Sequence, residues 1–172
     1  MVAYDARGTG RGDGRPARAE GSGHQTARGA CGTGEVRGQD TDIERGLFDS
    51  AVALIQQRYP IGWGGAAAVR LENGDILTSV APDTDLDALS VCMELGAFLE
   101  AHKRNLRVTH SLCITRHDEN SHYKFLSPCG ICQERLRFWG PDVLVAITNE
   151  ANALCFRPLS EFQKHHWTKA FD

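Results

Sequence analysis

The chain has 172 residues, a formal net charge of −3 and six cysteines. That length allows one domain with a tail, and the acidic balance excludes a broad phosphate-binding surface, which needs a basic stripe. No apolar run approaches the roughly 18 residues of a membrane span, and no short apolar leader with positive flanks marks secretion. The expectation is a cytoplasmic protein with neither a membrane nor a nucleic-acid partner.

Residues 1–41 stand apart in composition. Ten of the chain's 18 glycines fall there, mixed with Arg, Ala, Asp and Thr and almost no large apolar side chains. Such a segment buries too little surface to offset its chain entropy, so the reading is a disordered Gly/Arg-rich extension ahead of one domain at 42–172. Its Arg-Gly pairs (Arg7-Gly8, Arg11-Gly12, Arg28-Gly29, Arg37-Gly38) are interleaved with acidic residues, and no Phe, Tyr or Trp lies among them for base stacking. A start assigned upstream of the natural one would also produce such a segment, and N-terminal sequencing of the natural protein tests that.

Thr41-x-x-Glu44 has the form of a capping box. Ile43, Leu47, Val52, Leu54, Ile55 and Tyr59 then follow a helical stripe, and Pro60 ends that helix. Ala66–Leu71 and Asp75–Val80 read as strands, with Asn73-Gly74 favouring a two-residue hairpin turn. An acidic loop, Asp83 to Asp87, follows. Ser90 is placed to cap a helix running to Lys103, with Cys92 and Glu94 in its first turn. Leu106–Ile114 reads as a strand and 115–124 as a polar loop. A third helix starts at Pro128 or Cys129 and stops at Gly140-Pro141. Val143–Thr148 and Ala153–Phe156 are further strands, and Pro158 opens a short helix. Helices interspersed with short apolar strands indicate a layered α/β domain.

Chemistry concentrates in Cys92-Met93-Glu94 and Pro128-Cys129-Gly130-Ile131-Cys132. Three thiolates suit one zinc ion per chain and leave a tetrahedral metal one open position, the arrangement of a catalytic site. Water at such a position ionises near neutral pH, and a carboxylate one residue from a ligand can move its proton. Helix N-termini favour the thiolate form, and the spacing of Cys129 and Cys132 puts both sulfurs on one helical face. Together these residues point to hydrolytic deamination of a nucleobase, with Glu94 catalytic and Cys92, Cys129 and Cys132 as ligands. The competing reading is a non-catalytic, zinc-stabilised binding module in which Cys113 or His110 supplies a fourth ligand. Cys113 and Cys155 otherwise read as small core residues.

Across residues 43–172 the sequence resembles the cytidine deaminase family, blasticidin S deaminases included. The resemblance rests on Ser127-Pro128-Cys129-Gly130-Ile131-Cys132, on 78–94, and on Trp63-Gly64-Gly65-Ala66-Ala67-Ala68. It implies a three-layer α/β/α domain around a five-stranded mixed sheet, a homo-oligomer (a tetramer rather than a dimer) and a small nucleoside substrate. It further implies that Trp63 packs near the base and that the Met93 backbone reads the pyrimidine edge. Ser127 would present its carbonyl to the exocyclic amine, and Trp167 would close over the substrate. The implied reaction converts cytidine or deoxycytidine to the uridine form with release of ammonia, as in pyrimidine salvage. The alternative is deamination of blasticidin S, conferring antibiotic resistance.

Three positions depart from the family. Ala81-Pro82-Asp83 stands where an Asn-x-Glu holds the ribose hydroxyls, so Asp83 keeps the carboxylate but the amide is gone. Leu95 stands where arginine commonly softens the trithiolate charge, and Gln133 where another arginine often follows the last ligand. Arg135 is placed to compensate from the same helix, and His165 and His166 lie toward the expected mouth of the site.

Overall fold

Apolar residues at helical spacing build the first layer. In the computed structural model, which describes residues 38–171 with side chains from Thr41 onward, helix α1 spans Gly38–Arg58. It starts three residues ahead of the expected cap, so Thr41 lies inside the first turns rather than at the N-cap, and 38–41 belong to the helix. The remainder of the expected extension lies outside the described residues. Leu47, Ala51 and Ile55 are fully buried, and each such Leu or Ile contributes about 1.5–3 kcal/mol of burial.

Six strands form one mixed sheet: β1 (Gly64–Leu71), β2 (Ile76–Ser79), β3 (Val108–Arg116), β4 (Lys124–Leu126), β5 (Leu144–Ala146) and β6 (Phe156–Pro158). The order is β2-β1-β3-β5-β6, with β4 also paired to β3. All pairs are antiparallel except β3 with β5. β4 pairs with residues 113–115 and β5 with 110–111 of β3. The two short strands therefore follow one another along the edge of β3 away from β1, and six strands fill the five places of the expected sheet. β4 starts on the last residue of what reads as polar loop and runs two residues past it; only Phe125 in it is buried.

Alternation along the strands separates the two faces. Ala66 and Ala68 of β1 join Leu112, Ile114, Phe125, Ala146 and Phe156 under α1. Val69, Val108 and Val145 face the other way, onto helices α2 (Leu95–Lys103) and α3 (Gly130–Arg137) through Ala97, Phe98, Ala101, Cys132 and Leu136. With both faces covered, β1 is buried almost throughout. This is the three-layer α/β/α arrangement.

Two local expectations are corrected. The hairpin is a three-residue loop: Gly74 N–H donates to Leu71 O (3.0 Å) and Leu71 N–H to Asp75 O (2.8 Å), with Gly74 at φ +95°. That is a type I turn closed by a glycine bulge, and Asn73 Oδ1 accepts the Asp75 N–H. Cys92 and Glu94 lie in the turn before α2 rather than in its first turn, with Glu94 as N-cap residue.

Candidate active site

Two helix entries on one face of the sheet converge on the thiols. Cys92 opens a turn in which Leu95 N–H reaches Cys92 O (3.1 Å), and Phe98 N–H then bonds Glu94 O (3.1 Å) to start α2. Cys129, in extended conformation, is the N-cap of α3, its carbonyl accepting Gln133 N–H at 2.9 Å. Cys132 lies one turn inside and is fully buried. The three Sγ atoms lie within 4.8 Å of one another, and Cys92 and Cys129 are 3.4 Å apart.

The geometry fits one zinc ion. Sulfurs at tetrahedral corners about 2.3 Å from zinc are about 3.8 Å apart, so small adjustments suffice. The electrostatics argue the same way. Burial pushes the Cys132 thiol up, and the neighbouring Glu94, Cys129 and Cys92 charges push it further. Cys92 is raised by burial and by the hydrogen bond it shares with Cys129. Cys129 has burial working against it, yet hydrogen bonds from the Cys132 backbone and from the Cys92 and Cys132 side chains hold it below its usual range. Three thiols and a carboxylate thus compete for negative charge in one place, and a divalent cation converts that repulsion into binding.

Glu94 is buried, and its charge raises the affinity of all three thiols for protons and that of Cys113 as well. Cys113 is a core thiol in β3, paired in register with Ala67 and Leu126; it is not among the three sulfurs of the cluster. Ser79 in β2 donates to Met93 O at 2.6 Å and so fastens the turn carrying Cys92 and Glu94 to the sheet. Met93 Sδ lies over Gly65 with the Trp63 ring: an added Cβ at Gly65 would meet Sδ at 2.6 Å and Trp63 Cη2 at 3.2 Å. Trp63 is half exposed and meets Tyr59 edge-on.

Ser127 is fixed from a distance. Its N–H donates to Thr148 Oγ1 (3.0 Å), and the Thr148 N–H donates to Ser127 Oγ (2.9 Å). Both polar groups of Ser127 other than its carbonyl are thereby engaged. Asp83 stands at the surface in an ion pair with Arg58. Trp167 is also exposed, its ring against Phe171 and His166.

His166 is buried against α3, and with His165 it lines a cleft beside Gly130, Gln133 and Glu134. Its Nδ1 accepts the Thr168 N–H (3.3 Å), leaving Nε2 to donate to the Glu134 carboxylate at 3.0 and 3.1 Å. Arg137 adds bonds to Gln163 and Thr168, so the C-terminal segment is strapped to α3. Gln133 donates to Pro128 O. Arg135 Nη1 is buried without a hydrogen-bond partner among the described residues. Ser79, Thr148, Arg58 and Glu134 escape a sequence reading because their partners lie 14 to 32 residues away.

A three-layer α/β/α domain with a trithiolate cluster and a buried carboxylate at two helix entries defines the zinc-dependent deaminase class. The structure of a cytidine deaminase from Bacillus anthracis matches it with a TM-score of 0.73 and 56% identity, covering 75% of this chain and 92% of that one. A cytidine deaminase from Mycobacterium leprae shares the fold at 20% identity and a TM-score of 0.55, over 74% of this chain and 98% of that one. A blasticidin-S deaminase from Bacillus cereus is 29% identical over 120 residues, 67% of this chain and 83% of that protein. No family model matches the sequence. The chain belongs to the cytidine deaminase family.

Proposed function

We propose that the protein is a zinc-dependent hydrolase that deaminates free cytosine nucleosides, cytidine or deoxycytidine, to the uracil form with release of ammonia. The observation that carries this is the cluster of Cys92, Cys129 and Cys132 with Glu94 buried beside it, in a chain 56% identical to a cytidine deaminase. Cys92, Cys129 and Cys132 would hold the zinc, which when bound supplies a Lewis acid that lowers the pKa of water. Glu94 takes the proton from the attacking water and delivers it to the ring nitrogen beside the amine-bearing carbon. It then takes the remaining proton of the added hydroxyl and gives it to the departing amine, so that the C–N bond breaks, water is consumed and ammonia is released. Met93 backbone and Ser127 carbonyl orient the pyrimidine edge, and the Thr148 bonds that engage the rest of Ser127 support that role. Trp63, seated against Met93, covers the base, and Asp83 and Trp167 serve the sugar side.

Residues 42–172 form the catalytic domain. The protein works in the cytoplasm as a homotetramer. No helix among the described residues is long and apolar enough to cross a membrane, and exposed Leu86, Leu89 and Val91 just before Cys92 offer apolar surface for subunit contacts. A second reading, blasticidin S deamination, is favoured by Ala81 in place of the sugar-binding amide and by the B. cereus relative. Ammonia release measured on cytidine, deoxycytidine, blasticidin S and cytosine separates them. Turnover of the first two is expected; turnover of blasticidin S alone would favour the second reading, and none from any would refute both.

A further inference from the structure

Three side chains at one end of β3 converge on the loop that carries Trp63. Thr115 Oγ1 donates to Gly64 O at 3.1 Å. Arg116 Nη2 donates to the carbonyls of Tyr59 and, at 3.3 Å, Pro60, and the Glu119 carboxylate accepts the Gly62 N–H at 2.8 Å. The segment between α1 and β1 is thus held at both ends and in the middle, and Trp63 lies inside it. The Trp63 ring meets Tyr59 with centres 5.9 Å apart and closes with Met93 over Gly65, Met93 being the residue between Cys92 and Glu94. Trp63 is 48% exposed, so part of the ring is free to meet a planar base.

Arg116 is the costly member of this set. It is only 5% exposed, and its Nε is buried without a hydrogen-bond partner among the described residues. A buried guanidinium with an unsatisfied donor costs stability, and an apolar side chain fills such a place at no greater cost. What an apolar side chain cannot do is bind carbonyls. Those of Tyr59 and Pro60 lie just past the end of α1, where a helix leaves carbonyls unpaired and favours a cation. Resting on the deaminase reading above, we infer that Arg116 is a positioning residue for base binding. Through the Tyr59 and Pro60 carbonyls it sets the stance of the Trp63 ring against Met93. Glu119 steadies the same loop at Gly62, which has φ +79° and no neighbour within 4 Å of where a side chain would start, so that the N–H bond fixes its place.

The test is a double-substitution cycle on the full-length, zinc-loaded protein, read by KM and kcat for cytidine, Kd for uridine and zinc content. Arg116→Gln is expected to raise KM and the uridine Kd about tenfold, within the range that stacking of a base on an aromatic contributes. Turnover and zinc content stay unchanged, and Arg116→Lys restores part of the loss. In a Trp63→Ala background Arg116→Gln adds less than about twofold, because the ring it positions is gone. Glu119→Ala, at an exposed position, folds whether or not Arg116→Gln does and carries the same signature at about threefold. A KM indifferent to these variants, an equal effect with and without Trp63, or a fall in kcat or zinc content with KM untouched overturns the inference while leaving cytidine deamination standing. No ammonia from cytidine with the wild-type protein overturns the deaminase reading and this inference with it.

Discussion

Removing the Ser79 hydroxyl tests how the catalytic turn is held. In Ser79→Ala the 2.6 Å bond to Met93 O disappears, and the carbonyl between Cys92 and Glu94 loses its partner. An unsatisfied buried acceptor costs about 1–3 kcal/mol, and partial burial here admits water, which puts the loss near 1 kcal/mol. For a domain of this size that lowers Tm by about 3–5 °C. The turn keeps its Leu95 N–H to Cys92 O bond at 3.1 Å, so it loosens without unfolding. Zinc affinity is expected to fall about tenfold, as for other residues that orient metal ligands, with turnover falling alongside. Thermal melts with and without zinc, chelator competition and ammonia release measure the three effects, and Ser79→Thr, which keeps a hydroxyl, serves as the control. A Ser79→Ala protein with unchanged Tm, zinc affinity and turnover would refute the reasoning.

Leu136, fully buried between α3 and the sheet, is expected to cost about 2–5 kcal/mol as Leu136→Ala, read by urea denaturation; a loss below about 1 kcal/mol would contradict the packing described. Zinc removal by a chelator should lower Tm and zinc addition restore it, since the ion binds the folded cluster; an unchanged Tm would count against the site. Arg107 holds the Asp142 carboxyl below its usual range, so the pair stabilises the fold above the unfolded carboxylate pKa of about 3.9. That contribution is lost as pH falls through the lower folded value. The stability gap between wild type and Asp142→Asn should therefore shrink on acidification, and a gap that widens would contradict the pairing.

The parts of the site legible in the sequence are those written locally. Cys92-x-Glu94 and Pro128-Cys129-x-x-Cys132 are each recognisable within one short turn, and it is the shared suitability of three thiols for one metal, not spacing, that joins the two motifs across 37 positions. β1 is a continuous run of small apolar residues, which fits a strand covered on both faces. What the sequence does not reveal depends on chain segments meeting from far apart. Thr148 fixes Ser127 across 21 positions, Arg58 reaches Asp83 across 25, and Glu134 holds His166 across 32. β4 is three residues long with one buried side chain, too short for a periodic signal. Its pairing is supplied by β3 rather than by its own propensity. The hairpin turned on one residue: Gly74 at positive φ serves a bulge as well as a two-residue turn, and only the bonds to Leu71 distinguish them.

The central claim is that Glu94 performs proton transfer beside a zinc held by three cysteines, and Glu94→Gln tests it most directly. Metal analysis and ammonia release are measured on the same preparation. The prediction is one zinc per chain, an unchanged melt and turnover reduced by about 10²–10⁴-fold, the usual contribution of a positioned acid–base group. Near-normal turnover from a zinc-loaded Glu94→Gln protein would contradict the account.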